Sequence, residues 1–320
     1  MTRHPITLGG LLGGFIAVLS ALHPAAAQEK YPSRPIEFIV PWGPGGGADQ
    51  VARKASHLME PLLGVSIPVL NVPGATGITG MTKMLTAPAD GYTLQVMTGD
   101  TFALAAAPNP RFKLSDLIAL AIMIQQPSGF LVKQDAPWKT WADLEKDARA
   151  RTLKVAVTGF GSPDDLTVNF FRGKGLKLES IPYAKPGERY SSILGEHADI
   201  LYEQAGDVRS FIDSKQMRPI IFFYPKRFEA FPDIVVSKEL GYDITLPQFR
   251  VILMRAGTDA AKVKMISDAL AKVAADADFK NYLKDQYADP NSYVPGDKSP
   301  AYMQSWLEDA RKLLSQTAGK

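Results

Sequence analysis

Cysteine is absent, histidine is scarce at 4 residues, and neither sign of charge dominates, with 36 Lys and Arg against 33 Asp and Glu. Each shortage closes a class of function. Without thiols there is no disulfide framework, no cysteine nucleophile, no thiolate metal site and no lipid attachment at an N-terminal cysteine. A nearly balanced charge with no block of Lys and Arg makes no electrostatic case for nucleic acid as a partner. Beyond residue 27 only His57 and His197 remain. Neither has a second ligand at metal-binding spacing, so both read as exposed surface residues and no metal is expected. A Gly-x-Ser-x-Gly elbow is missing too. Past residue 27 no segment approaches the ~20 apolar residues of a transmembrane helix.

What the chain does contain begins with a leader. Arg3 supplies a positive start, Leu8 to Leu22 is apolar apart from small residues, and Ala25-Ala26-Ala27 precedes Gln28-Glu29. That layout predicts a secretory signal peptide at residues 1–27, cleaved after Ala27, and an exported, soluble chain. Stability must then come from burial, and 320 residues hold core enough for two domains.

After the leader, apolar β-branched runs alternate with helical patterns. Ile36 to Val40 reads as a buried strand, followed by Pro41-Trp42-Gly43-Pro44-Gly45-Gly46-Gly47-Ala48-Asp49 and a helix with Val51, Ala55, Leu58 and Leu62 on one face. Further strands are expected at 65–71, 92–98, 153–158, 180–182 and 199–202. Helices are expected from Pro73-Gly74-Ala75-Thr76-Gly77 towards Leu85 and over 166–172. This is an α/β alternation with parallel sheets. Near the C-terminus, Val263, Ile266, Leu270 and Val273, then Tyr302, Trp306 and Leu313, recur at helical spacing and read as core-packing faces. Ligands in open α/β sheets bind at the carboxyl ends of strands, where four loops fall: Trp42 to Asp49, Gly74 to Thr76, Thr98 to Thr101 (with Asp100), and Gly159 to Asp165. In the first, backbone N–H groups and the positive end of a helix meet at one point, a ready-made anion site.

Gly43 to Ala48 fits the dinucleotide fingerprint G-x-G-x-x-A. Against it, Asn71-Val72 stands where a ribose-binding acid belongs, and Pro41 and Pro44 remove two backbone donors. No cofactor is expected. Ser162 lies in a promising loop but has no evident base. Asp164-Asp165 suit the N-cap or first turn of the helix from Leu166; beside an anion pocket they would instead repel a second carboxylate and welcome an amine or a bound cation. Trp42 and Phe160 either wall a pocket or pack as lids, and Lys185 either pairs with an anionic ligand or stays solvated.

Several segments together resemble a family. Tyr31-Pro32-Ser33-Arg34-Pro35-Ile36, the glycine-rich loop ending in Asp49, Val51-Ala52-Arg53, Asn71-Val72-Pro73-Gly74-Ala75-Thr76-Gly77 and Ala87-Pro88-Ala89-Asp90-Gly91-Tyr92-Thr93-Leu94 are similar to the extracytoplasmic receptors of tripartite tricarboxylate transporters, the Bug proteins. The likeness continues at Gly159-Phe160-Gly161-Ser162, Pro182-Tyr183, Gly195-Glu196-His197-Ala198-Asp199 and Arg255-Ala256-Gly257-Thr258, over essentially the whole chain beyond the leader. The resemblance implies a two-lobed periplasmic binding protein of the type II, flytrap class. Each lobe would be a mostly parallel sheet flanked by helices, with residues 28–126 and 247–320 in one lobe and 127–246 in the other.

It further implies a monomeric, non-enzymatic receptor in the periplasm that hands a small organic carboxylate to the membrane subunits of such a transporter. The ligand-binding set carried over is Trp42, Gly43, Gly45, Gly46, Gly47, Ala48 and Asp49 with Gly74, Ala75 and Thr76 on one side, joined by Thr98 and Asp100. Phe160, Gly161, Ser162 and Tyr183 face them from the other lobe, and Asp164, Lys185 and Glu203, where this chain departs from the family, complete the candidate set. The chain departs from the family at the far end of the pocket: Trp42-Gly43-Pro44-Gly45 replaces a Pro-Phe-Pro-Ala-Gly-Gly pattern, Pro163-Asp164-Asp165 a serine-rich one, and Ala184 precedes Lys185. Glu203-Gln204 stands where an amide or aspartate is common. The alternatives to a transport receptor are an exported α/β hydrolase working through Ser162 or Asp164, and a ligand-sensing module for a signalling partner.

Overall fold

The computed structural model describes residues 1, 2, 4, 30–107 and 109–317. The core of the predicted leader and its cleavage site after Ala27 lie outside the described residues. Everything below concerns the compact unit from Pro32 onward.

Strand β1 (Glu37–Val40) is apolar on both faces and fully buried over its last three residues, as a strand flanked by two others must be. The glycine-rich loop leads into α1 (Gly47–Leu63), which buries Val51, Ala52, Ala55 and Met59 and stops at Gly64 in the left-handed conformation, φ 71°. Next come β2 (Val69–Asn71), α2 (Ile78–Thr86), β3 (Thr93–Thr98), α3 (Gly99–Ala103) and β4 (Leu117–Gln126). Only Pro127 separates β4 from β5 (Ser128–Lys133), the first strand of a second sheet. That sheet continues with α4 (Trp141–Ala150), β6 (Leu153–Val157), α5 (Pro163–Gly173), β7 (Leu178–Pro182), α6 (Pro186–Leu194), β8 (Ile200–Gln204), α7 (Arg209–Asp213) and β9 (Met217–Phe222). The chain then returns through β10 (Gln248–Arg255), α8 (Ala260–Ala275), α9 (Ala277–Asp285), β11 (Val294–Pro295) and α10 (Ser299–Thr317).

The strand orders are β11-β4-β10-β3-β1-β2 and β7-β6-β8-β5-β9. The α/β alternation and the two lobes are present, and most strands of each sheet run one way as expected, with β10 and β11 reversed in the first and β5 in the second. β1 pairs parallel with β2 and β3, and β6 with β7 and β8. β10 runs antiparallel to both β3 and β4, and β5 antiparallel to both β8 and β9. The reason lies in the crossings. A strand arriving from the other sheet enters at the end where its neighbours finish, so it must run against them. Gln248 therefore pairs with Gln126 and Arg250 with Thr98, while Ser128 pairs with Gln204. The carboxyl ends of β3, β4 and β8 are thereby gathered at one place.

Aromatic clusters fill each half. Phe102, Phe249 and Trp306 pack with centroids 5.4–5.7 Å apart in the first. Phe130 meets Trp141, Phe171, Tyr202 and Phe223 at 4.9–6.3 Å in the second. The helical repeats near the C-terminus act as expected: α8 buries Ile266, Leu270 and Val273, and Trp306 and Leu313 of α10 are buried. His57 and His197 are exposed.

Candidate functional site

The glycine-rich loop is held from behind by one carboxylate. Asp49 accepts hydrogen bonds from Gly45 N–H (3.0 Å), Arg53 Nε (2.9 Å) and Asn71 Nδ2 (3.0 Å). Burial alone would raise its pKa, but the bonds from Arg53, Gly45 and Asn71 outweigh that and hold it low. Asn71 Nδ2 also donates to Trp42 O at 3.0 Å. Trp42 in turn directs its indole N–H to Thr98 Oγ1 at 3.2 Å. The first-turn N–H groups of α1, including Gly47 and Ala48, have no intrahelical carbonyl to bond.

Gly47 is there because nothing larger fits: a Cβ would fall 2.2 Å from both Arg250 Nη2 and Asp207 Oδ2. Arg250 on β10 is the centre of a buried network. Its guanidinium donates to Gln126, to Asp207 and, at 3.2 Å, to Gln204 Oε1. The Arg250–Asp207 pair therefore joins the first sheet to the turn after β8. A second buried pair, Arg189 with Glu203, links α6 to β8, and Arg189 Nη1 also reaches Tyr183 O at 3.3 Å. Burial would lower the Arg189 pKa, but the charge of Glu203 and its neighbours more than offsets that. Burial pushes the Asp207 carboxyl up to about 7; Arg250 opposes this and Glu203 adds to it.

Gly47, Arg189, Glu203, Gln204, Asp207 and Arg250 line one cleft between the two sheets, together with Trp42, Gly46, Ala48, Thr98, Asp100, Thr158, Asp164, Pro186, Tyr202 and Gln248. The space between them is about 370 Å³, counting the part open to solvent. The halves touch at the rim. A Cβ on Gly159 would lie 2.2 Å from Thr76 Oγ1, and one on Gly46 2.6 Å from Pro186 Cγ.

Of the expected binding residues, Trp42, Gly46, Gly47, Ala48, Thr98, Asp100, Asp164 and Glu203 line the cleft. Gly43 packs against Lys185 and Pro186, while Gly45 and Asp49 shape the loop from outside. Gly74, Ala75 and Thr76 form a turn of three positive-φ residues (135°, 47° and 52°) at the rim, strained for Ala75 and Thr76. Gly161, also at positive φ (76°), sits near Leu104. Phe160 is 65% exposed. Tyr183 contributes its carbonyl to Arg189. Lys185 is exposed and paired with Glu188 at 2.9 Å.

Ser162 is the N-cap of α5: its hydroxyl donates to Gly159 O at 2.6 Å and accepts from Asp165 N–H at 3.4 Å. Asp164 and Asp165 share the first turn of that helix, which starts at Pro163, but their carboxylates part ways. Asp165 accepts from Gly161 N–H and Ser180 Oγ, whereas Asp164 is 1% exposed and faces the cleft. Sequence reasoning missed Arg189, Asp207, Gln248 and Arg250. Arg250 left a signal, being one charge inside the apolar run Phe249 to Met254; the others left none.

Two mixed α/β sheets, a single-residue passage between them and a buried polar cleft at their strand ends define the type II periplasmic binding protein class. The sequence profile of the tripartite tricarboxylate transporter family receptor matches residues 51–310, and the chain belongs to that family. It is 29% identical to Protein BugT of Bordetella pertussis over 83% of this chain and 83% of that one. The solved periplasmic binding protein BugD superimposes with a TM-score of 0.83 at 23% identity, covering 90% of this chain and 98% of that one. MatC from Rhodopseudomonas palustris, solved with bound malate, gives a TM-score of 0.80 at 22% identity, covering 90% and 100%.

Proposed function

We propose that this chain is a periplasmic solute-binding receptor that captures a small carboxylate in the interlobe cleft and delivers it to the membrane subunits of a tripartite tricarboxylate-type transporter. One observation carries the reading. The first turn of α1 at Gly47 and Ala48 borders the same cleft as two buried guanidiniums, Arg189 and Arg250, each already paired with a carboxylate, and the N–H groups of that turn suit an anionic group. Membership of the receptor family and the malate bound to MatC favour a carboxylate. Residues 28–126 and 247–320 form one lobe and 127–246 the other, working as a monomer that opens and closes about the passage at Pro127 and the approach to β10. The ligand shifts that equilibrium by its greater affinity for the closed form. Of the two hydrolase candidates, Ser162 is engaged as a helix cap, and Asp164 faces the cleft while accepting from Thr158 N–H.

A thermal-shift screen of the ligand-free protein against aliphatic mono-, di- and tricarboxylates, aromatic carboxylates and amino acids tests the proposal. Stabilisation that follows ligand concentration, with the compound recovered unchanged, is expected. Turnover of the compound, or no stabilisation by any of them, would overturn it.

A further inference from the structure

Four carboxylates and two guanidiniums line the cleft, and their pairing is unequal. Arg189 is taken by Glu203 and Arg250 by Asp207, so Asp100 and Asp164 have no ion-pair partner and feel Arg189 only through its more distant charge. The two come from opposite sides, Asp100 from the first turn of α3 after β3 and Asp164 from the first turn of α5 after β6. One oxygen of each is satisfied: Asp100 Oδ2 by Gln248 Nε2 at 2.6 Å, and Asp164 Oδ2 by Thr158 N–H at 2.7 Å. The other oxygen, Oδ1 in both, is buried with no N–H or O–H donor from the rest of the protein, the two carboxyls lying within hydrogen-bonding reach of each other, and the hydroxyl of Thr158 in the same cleft also lacks a partner. Burying unpaired acceptors is costly, and closing the cleft presses two like charges together.

A cation relieves both costs. Among the described residues no group of three or more His, Cys, Asp or Glu is placed to hold a metal ion. An alkylammonium has three N–H donors, and Asp100 Oδ1, Asp164 Oδ1 and Thr158 Oγ1 are three of the unpartnered oxygens of the cleft, Asp207 Oδ1 and Tyr202 Oη being the others. We propose that the ligand carries an ammonium group seated between Asp100 and Asp164, and that the receptor takes amino carboxylic acids in preference to plain di- or tricarboxylates. This rests on the carboxylate reading above, with the ligand's carboxylate at the Gly47–Ala48 end. It also gives the closing force a direction, because the ammonium bridges carboxylates from opposite lobes and is fully bonded only in the closed form. Burial, and for Asp164 also the charge of Asp100, pushes both carboxyls up.

Matched pairs differing by one amino group test the proposal on the ligand-free protein: succinate against aspartate, glutarate against glutamate, with 1,4-diaminobutane as the cation lacking a carboxylate. Calorimetry should show the amino member of a pair binding at least about tenfold tighter. Asp164→Asn should cut that preference about ten- to a hundredfold. Asp100→Asn serves as the second variant should the first fold poorly. Equal or tighter binding of the plain dicarboxylates would overturn the ammonium seat and leave the carboxylate receptor standing. Binding of diaminobutane alone would overturn the carboxylate and keep the seat. Silence from every compound would overturn both.

Discussion

A methyl group on Gly159 tests whether the cleft must close to hold its ligand. A Cβ built there falls 2.2 Å from Thr76 Oγ1, 3.2 Å from Thr76 Cβ and 3.3 Å from Thr76 Cγ2. Gly159 follows β6 and Thr76 precedes α2, so the collision is between the two sides of the cleft and vanishes when they part. Gly159 is not among the positive-φ glycines, so alanine suits its backbone. Turning the Thr76 side chain removes the closest contact but not the one to Cβ, and overpacking of this kind costs about 1–3 kcal/mol. Only the closed form bears that cost. Since the ligand is held through its preference for that form, Kd should rise about 5- to 150-fold with the melting temperature of the ligand-free protein little changed. The assay is calorimetry with the tightest compound of the screen, alongside small-angle scattering with and without it. Adding Thr76→Gly removes the obstacle and suits the left-handed backbone at Thr76, φ 52°, so the double variant should recover affinity. Wild-type affinity in Gly159→Ala, or no recovery in the double variant, would refute the reasoning.

Three further outcomes are expected. Arg250→Met leaves Asp207 buried without its cation and should lower stability by about 3–5 kcal/mol in urea unfolding, whereas Arg250→Met with Asp207→Leu should recover most of that loss; a cost unchanged in the double variant would show that the pair is not coupled. Asp49→Ala should lower stability by about 1–3 kcal/mol through its charge-assisted bonds. Because the native pKa of Asp49 is depressed, the stability it adds is present above its ordinary value and lost as pH falls through the folded value, so the variant's deficit should shrink in acid. Asp207 has the opposite sign: with a folded pKa near 7, its contribution is complete below its unfolded value and lost as pH rises towards 7, so the ligand-free protein should melt lower at pH 7.5 than at pH 5 in a buffer-matched scan.

Local signals were legible along the chain, and long-range ones were not. Strand–loop–helix units such as β1, the glycine loop and α1 announce themselves through β-branched runs, glycines and a 3.6-residue period, all of which act over a few residues. Asp49 illustrates the limit: its position in the loop was plain, but its task of gripping Gly45, Arg53 and Asn71 depends on where β2 ends. The antiparallel placing of β5 and β10 follows from how the chain crosses between sheets, which no local pattern encodes. Arg189, Asp207 and Gln248 sit in ordinary polar contexts in the sequence and become a cleft only once distant strand ends are brought together. Asp164 and Asp165 show the same lesson at one position: neighbours in a helix's first turn, yet one caps the loop and the other faces the cavity.

The place of β10 bears on how the chain acquires its structure. This strand lies between β3 and β4, yet it is made last of the three, and the Arg250–Gln126 contact spans 124 positions. All strands of the second sheet fall within 128–222, so that half can assemble from contiguous chain. The first sheet instead waits, with β3 and β4 each presenting an open edge of the kind that invites misassociation, and contacts of such sequence separation form slowly. Arg250 rides on the strand that ends the wait. A molecule whose first sheet is complete has, by the same event, received the arginine at the heart of its cleft.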